Sequence, residues 1–226
     1  MVKNVLGLAL AAAAAAGASA QTRVINYEDL TEGFQGETFS HMGVTYRDVN
    51  LVSGRFPNGD TFGPQIGDQV IVEDATFAYN DFPGFGSADK ALTFGAAFVP
   101  GDSLSIGRVS SVTMDLDELA EFASLDIMFY ENGPWGGISW HLDALLNGNV
   151  VASDSLLIAD GGGRDNVTFS SLSVSASSFD QLHLYARFGA DFSLPRALID
   201  DLTLRAIPAP GVLAAFGVVA GLRRRR

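Results

Sequence analysis

Apolar and polar residues alternate along several stretches of this 226-residue chain. In 112–117, valine, methionine and leucine occupy every second position, and threonine or aspartate lies between them. The stretches 124–129 and 182–188 repeat the pattern, the second with His183, Tyr185 and Arg187 on its polar side. This period of two predicts half-buried β-strands, because successive side chains of a strand point to opposite faces.

Turn-forming residues separate these stretches, and extended helical periodicity is scarce. Asn147-Gly148-Asn149 lies between two apolar runs and predicts a hairpin, whereas Asp117–Phe122 is compatible with a short helical turn. The whole pattern predicts roughly nine or ten strands in an all-β, jelly-roll-like antiparallel β-sandwich. They come from eleven candidate segments, which are 24–29, 44–52, 69–79, 91–97, 109–118, 124–130, 138–146, 150–158, 167–176, 180–188 and 197–204.

The first 20 residues have the composition of a secretory signal peptide. Lys3 supplies a positive charge, Val5–Ala16 is an apolar run, and Ala18 and Ala20 are the small residues of a cleavage site before Gln21. We expect a signal helix over residues 1–20 that signal peptidase removes. A buried alanine-rich helix is the alternative.

The chain ends in a second distinct segment. Pro208 and Pro210 precede an apolar run at 211–222, whose 12 residues would span about 18 Å as a helix. That length is well below the roughly 30 Å of a bilayer's hydrocarbon core. The pattern predicts a short C-terminal apolar helix that anchors the chain only transiently, and the alternative is a disordered basic tail. Four arginines follow and favour the cytoplasmic side: Arg223, Arg224, Arg225 and Arg226.

This tail resembles the PEP-CTERM sorting signal of bacterial exported proteins, in which a Pro-Glu-Pro motif precedes a hydrophobic segment and an arginine cluster. Ala209 stands where that family has glutamate. The resemblance covers 206–226 and implies processing by an exosortase-like enzyme, transient inner-membrane anchoring, and a final place at the cell surface or outside the cell. It also implies a role in the matrix or envelope, since the family is associated with bacteria that make extracellular polysaccharide.

Residues 21–205 remain as one soluble β-sandwich domain of 185 residues, large enough to bury a sizeable core. Without Lys3 and the four terminal arginines, 9 basic residues face 26 acidic ones, for a net charge of −17. Such a surface repels nucleic acid and anionic membranes, so nucleic-acid binding is excluded. The chain has no cysteine, which excludes disulfides and thiolate chemistry.

Acidic residues occur in strand-like segments at both ends of this domain. Asp200 falls on the apolar side of its segment, and a buried carboxylate requires a cation or hydrogen-bond donors. First and last strands are often neighbours in sandwiches, so Glu28 or Asp29 is expected near Asp200 or Asp201. The two segments resemble those of secreted jelly-roll modules, including carbohydrate-binding ones, and the resemblance implies a structural Ca²⁺ held by oxygen ligands. In the alternative, Asp200 lies at the edge of the strand or pairs with Arg187 or Arg196, and Glu28 and Asp29 end a strand in solvent.

Two tryptophans lie in a glycine-rich segment. Trp135, between Pro134 and Gly136, is predicted in a loop, whereas Trp140 lines up with apolar neighbours and is predicted in the core. Sugars stack on exposed aromatic faces, so Trp135 is the candidate carbohydrate contact, and a lid over the end of the sandwich is the alternative.

The sequence contains no Gly-x-Ser-x-Gly elbow and no His-Glu-x-x-His motif, and we interpret His41, His141 and His183 as isolated surface histidines. The first functional hypothesis is therefore a non-enzymatic, exported cell-surface or extracellular-matrix protein. The alternative is a carbohydrate-binding module of the extracellular polysaccharide, and a secreted hydrolase ranks third.

Overall fold

The computed structural model describes residues 20–50, 54–55, 61–62, 69–75, 86, 89–95, 111–130, 139–157, 167–187 and 196–207. Within these ranges the chain forms strands and turns and no helix, and the strands pair antiparallel, which confirms the predicted all-β class. The strands are β1 (Thr22–Ile25), β2 (Gly33–Gly36), β3 (Phe39–His41), β4 (Val44–Asn50), β5 (Gly54–Arg55), β6 (Thr61–Phe62), β7 (Gln69–Asp74), β8 (Lys90–Gly95), β9 (Ser111–Tyr130), β10 (Ser139–Leu146), β11 (Asn149–Leu157), β12 (Val167–Arg187) and β13 (Arg196–Ala206).

Eleven of these strands form one sheet, and β5 and β6 form a second, two-stranded sheet. The long strands β9 and β12, of 20 and 21 residues, pair with each other along most of their length. Register shifts interrupt this pairing between Ser175 and Gln181 of β12. The shifts divide the sheet into two arms.

The first arm contains the start of β9 and the end of β12. Here β3 and β4 continue the sheet from β9, and β10 and β11 continue it from β12. The second arm contains the rest of β9 and β12, followed by β13, β8, β7 and β2. β1 pairs with the end of β13, so the first and last described strands are neighbours, as the sequence predicts.

The two arms share one hydrophobic core. Val44, Met114 and Leu184 of the first arm belong to the same buried cluster as Val72 and Leu125 of the second. Each arm therefore turns one face toward this core, as in a two-layer β architecture. In the second arm, residues that alternate with the core positions, such as Ile71 and Leu198, are buried as well.

The predicted hairpin joins β10 to β11. Asn147 and Gly148 have φ angles of 52° and 77°, and two successive positive φ angles are what a type I′ turn requires. The turn places β11 at the outer edge of the first arm.

The segment Asp117–Phe122 is part of β9, so its interpretation as a helical turn is wrong. Ala120 within it pairs with Phe179 on one side and Ala206 on the other. The alternation breaks here because the register shifts, and a β-bulge changes which face the side chains occupy without ending the strand. For the same reason, the separately predicted strands 109–118 and 124–130 are one strand.

The predicted signal peptide (1–20) and sorting segment (206–226) lie outside the described residues, except for Ala20, Ala206 and Ile207. Ala206 is the last residue of β13. Ala18, Pro208, Pro210 and the terminal arginines therefore keep their roles as predictions. The N–H of Ala206 donates to the carbonyl of Gln21 at 2.9 Å, so the two ends of the predicted domain meet. No helix of the described ranges is long and apolar enough to cross a membrane.

Candidate functional site

The outward side of the first arm carries a continuous group of polar and aromatic side chains, which we call the polar face. Its residues alternate along their strands with core residues such as Leu142 and Leu184. The polar face crosses β4, β9, β12 and β10 and consists of Arg47, Asp115, Gln181, His183, Tyr185, Arg187, Ser139, His141 and Asp143.

Three aromatic rings lie stacked at the centre of the polar face. His141 is directly opposite Tyr185 in the β10–β12 register, with ring centroids 5.0 Å apart and planes 12° apart. His183, two residues before Tyr185 on β12, stacks on the same tyrosine, with ring centroids 4.9 Å apart and planes 26° apart. Both distances lie within the range of favourable aromatic pairs. The interpretation of His141 and His183 as isolated is therefore wrong.

Hydrogen bonds hold this ring cluster in place from β10 and β11. The hydroxyl of Ser139 lies 2.8 Å from Nε2 of His141. Asp143 accepts a hydrogen bond from the hydroxyl of Ser153 at 2.6 Å. Its charge also lies close enough to Tyr185 to raise the pKa of that phenol, after the larger effect of burial. The rings are therefore fixed both by stacking and by polar contacts.

A second group of contacts extends the polar face across β9 to β4. Asp115 accepts hydrogen bonds from Nη2 of Arg47 at 3.0 Å and from Nε2 of Gln181 at 2.8 Å. The hydrogen bonds from Arg47 are the main cause that lowers the pKa of Asp115 below its ordinary value. Arg47 also forms an ion pair with Asp48.

The three stacked rings are neutral near pH 7. Burial lowers the pKa of His141 and of His183 below the ordinary histidine value, and burial raises the pKa of Tyr185. The cluster therefore offers ring edges with uncharged hydrogen-bonding atoms beside apolar ring surface. Such a combination suits ligands that carry both hydroxyl groups and C–H surfaces.

The acids predicted to bind calcium contact three different sets of partners. The carboxylate of Glu28 accepts the backbone N–H of Lys90 at 3.0 Å, and Nζ of Lys90 donates to the carbonyls of Glu28 and Leu30. Oδ1 of Asp29 lies 3.5 Å from Nε2 of His41. An ammonium group is thus the cation that contacts the segment after β1.

Asp200 is fully buried, as its place on the apolar side of β13 predicts. It lies close enough to the buried Tyr27 and Tyr46, whose hydroxyls are 2.8 Å apart, for its charge to raise the pKa of both phenols, after the larger effect of burial. Asp201 has a φ of 48° at the register shift that follows Asp200.

Within the described ranges, no three histidine or acidic side chains are grouped as metal ligands. The structure brings Asp200 and Asp201 together next to the tyrosine pair and does not join them to Glu28 and Asp29 in one ligand set. The calcium site stays a prediction. Arg187, the proposed alternative partner of Asp200, lies over the ring of Tyr185 instead.

Trp140 is 2% exposed, which agrees with its predicted core position. Trp135 lies outside the described residues, so its contact with carbohydrate stays a prediction. Sequence reasoning missed the ring cluster because it requires the pairing of β10 with β12, whose sequence positions are about 40 residues apart. The available signal was the polar side of the alternation at 182–188.

No family model matches this chain, and no curated protein matches it. Among solved structures it is similar to the CBM22-1 xylan-binding domain of Paenibacillus barcinonensis Xyn10C, with 12% identity, coverage of 86% of this chain and 99% of that one, and a TM-score of 0.40. It is also similar to the family 11 carbohydrate-binding module of Clostridium thermocellum, at 7% identity, 83% and 96% coverage, and a TM-score of 0.35.

A third similar structure is the MgGH51 α-L-arabinofuranosidase, at 18% identity and a TM-score of 0.35. The match covers 61% of this chain and only 22% of that enzyme. At these identities and TM-scores, the similarities assign no ligand and no activity to this chain.

Proposed function

We propose that this chain is an exported carbohydrate-binding protein of the cell surface or extracellular matrix, and that its polar face contacts a polysaccharide. The observation that carries the proposal is the cluster of three stacked, neutral rings of His141, Tyr185 and His183 on the outward side of the first arm. The export and the jelly-roll-like arrangement of the sandwich are the sequence-based parts of the same proposal.

The chemistry of the ring cluster matches that of sugars. A sugar ring has C–H faces that favour aromatic surface and hydroxyls that need fixed donors and acceptors. Because the three rings stack on one another, their outward edges, with the imidazole nitrogens and the phenol oxygen, meet a ligand first. Asp143 and Ser139 add carboxylate and hydroxyl oxygens beside them.

The cluster is also pre-organised. His141 and Tyr185 lie on paired strands; His141 is hydrogen-bonded to Ser139, and the hydroxyl of Tyr185 to Arg187. Side chains that are already fixed lose little conformational entropy when a ligand binds. The four adjacent strands that the polar face crosses, at about 4.8 Å spacing, give a surface roughly 14 Å wide, which accommodates a short run of consecutive sugar units.

The electrostatics of the polar face support binding in preference to glycoside hydrolysis. Hydrolysis needs a carboxylic acid with a raised pKa as proton donor. Hydrogen bonds from Arg47 lower the pKa of Asp115 instead. Asp143 accepts a hydrogen bond from the hydroxyl of Ser153.

A polysaccharide binding panel with the full-length chain tests the proposal. Affinity electrophoresis followed by calorimetry should find at least one soluble polysaccharide that binds, and Tyr185→Ala should remove most of the affinity, because an aromatic contact contributes on the order of 1 kcal/mol or more. Tyr185→Phe keeps the ring and should lose less. The matched control is Ser175→Ala, an exposed position on the same strand in the second arm.

The proposal fails if no polysaccharide in the panel binds. It also fails if Tyr185→Ala, folded as judged by its melting temperature, binds as tightly as the Ser175→Ala control.

A further inference from the structure

Arg187 ends β12 beside the ring cluster. It is directly opposite Ser139 in the β10–β12 register and is exposed to solvent. Its guanidinium carbon lies 5.4 Å from the centroid of the Tyr185 ring, and Nη2 is 3.4 Å from the hydroxyl of that tyrosine. The stacking holds the guanidinium in place while its outer side faces solvent.

The carboxylates of the polar face already have donors. Asp143 accepts a hydrogen bond from Ser153, and Asp115 accepts hydrogen bonds from Arg47 and Gln181. Arg47 forms ion pairs with Asp48 and Asp115. Arg187 differs, because among the ion pairs between described residues none joins its guanidinium to a carboxylate within 4.0 Å.

A guanidinium has five N–H donors in a planar fork. Within the described part of the chain, Arg187 uses one of them, in the 3.4 Å contact with the hydroxyl of Tyr185. The fork matches the two oxygens of a carboxylate and binds it through two parallel hydrogen bonds. The neighbouring hydroxyl of Ser139 and the ring of His141 add two further groups with donor capacity on the same side. This end of the polar face is therefore suited to an anionic group.

We propose that Arg187 binds the carboxylate of a uronic acid unit, so that the polysaccharide recognised by the polar face is an acidic one. This inference rests on the proposed function, in which the ring cluster contacts the sugar chain itself. The rings then contact any suitable sugar unit, and Arg187 selects the charged one.

The net charge of −17 for residues 21–205 opposes long-range attraction of an anionic polymer. At 0.15 M salt, however, exposed charges are screened beyond about 8 Å. The contact at Arg187 is local and stacked on Tyr185, so it persists where the long-range repulsion is screened. Affinities measured at this ionic strength therefore reflect the local contact at Arg187 more than the long-range repulsion.

The test compares a polyuronate, such as polygalacturonate, with the same polymer after chemical reduction of its carboxyl groups, using the full-length chain. We expect wild type to prefer the acidic polymer, and Arg187→Gln to lower that affinity about tenfold or more, as loss of charge-assisted hydrogen bonds implies. The affinity for the reduced polymer should stay unchanged. Arg205→Gln is the control, because Arg205 is also a partly exposed arginine over an aromatic ring, that of Phe122, in the second arm.

Equal affinity of wild type for both polymers, or an Arg187→Gln variant that keeps the preference, overturns the inference and leaves the proposed function in place. Loss of binding to both polymers in Tyr185→Ala alone supports the proposed function independently of Arg187. If wild type binds neither these polymers nor any polysaccharide of the wider panel, both proposals fail.

Discussion

The imidazole of His141 lies parallel to the phenol ring of Tyr185, 5.0 Å away and directly across the β10–β12 pair. Each residue takes part because strand alternation turns it away from the core while Leu142 and Leu184 turn inward. One structural relationship thus joins the packing of the first arm to the surface that we propose binds polysaccharide.

The burial of His141 and His183 makes the stability of the fold depend on pH. Burial is the main cause that lowers the pKa of His141 and His183 below 6.5, so the unfolded chain binds more protons than the folded one as the pH falls below that value. The free energy of unfolding should therefore be constant near pH 7.5 and decrease as the pH falls through 6.5. Chemical denaturation between pH 7.5 and 5 measures this.

The control for the pH effect is the double variant His141→Gln/His183→Gln, whose stability should change less over the same interval. If the free energy of unfolding of the double variant falls with pH as steeply as that of wild type, the pH effect does not come from His141 and His183. The carboxylates with lowered pKa, Asp115 and Asp117, contribute only at lower pH, where they begin to take up protons.

Gly43 and Gly148 form a matched pair for testing a close contact in the first arm. Both have positive φ, 79° and 77°, so alanine costs about 1–2 kcal/mol of backbone strain at either position. A Cβ at Gly148 meets no atom within 4 Å, whereas one at Gly43 would lie 2.3 Å from Oδ2 of Asp117. Gly43→Ala should therefore destabilise more, because Asp117 must move away from Arg23.

The expected difference between the two alanine variants is about 0.2–1 kcal/mol, the usual contribution of an exposed ion pair. Urea denaturation measures this difference. The difference should disappear when Gly43→Ala and Gly148→Ala are compared in an Arg23→Gln background. Equal destabilisation in the wild-type background would show that the ion pair contributes nothing.

The buried hydroxyls of Tyr27 and Tyr46 should be energetically coupled, since they are 2.8 Å apart and fully buried. Tyr27→Phe removes one hydroxyl and is expected to cost about 1–3 kcal/mol, because it removes a hydrogen-bond partner from the other. The double variant with Tyr46→Phe should cost less than the sum of the two single changes. Additive costs in a double-mutant cycle would argue against a direct hydrogen bond.

The calcium prediction is tested by metal removal. If Asp200 and its neighbours hold a structural Ca²⁺, EDTA lowers the melting temperature, because a ligand that binds only the folded state stabilises it. Asp200→Asn should then abolish the difference between EDTA and Ca²⁺. An unchanged melting temperature of wild type in EDTA would contradict the calcium site. Lys90, which donates to the carbonyls of Glu28 and Leu30, would then be the cation of the segment after β1.

The sequence predicted the longer strands and their faces, because alternation is a local property, whereas the short strands β2, β3, β5 and β6 lie outside the predicted segments. It placed Leu182 and Leu184 inside and His183 and Tyr185 outside, as the structure does. It also predicted the turn at Gly148 from residue types that tolerate positive φ.

The sequence could not predict which strands are neighbours in the first arm. His141 meets Tyr185 only because β10 pairs with β12, and that pairing is set by the closure of the whole sheet. The bulge at Asp117–Phe122 was misread for a related reason, since a shift of register in a long strand looks locally like a break. Long-range pairing thus determines the candidate site, while local pattern determines its residues.

The most direct test of the polar face is NMR of the histidine rings during titration of the full-length chain with oligosaccharides of a bound polysaccharide. The chain has three histidines, and His41 lies apart from the polar face, beside Tyr27 and Phe39. We predict that the ring signals of His141 and His183 shift with saturation while those of His41 stay in place. Binding that leaves the signals of His141 and His183 unchanged would contradict the polar face as the site.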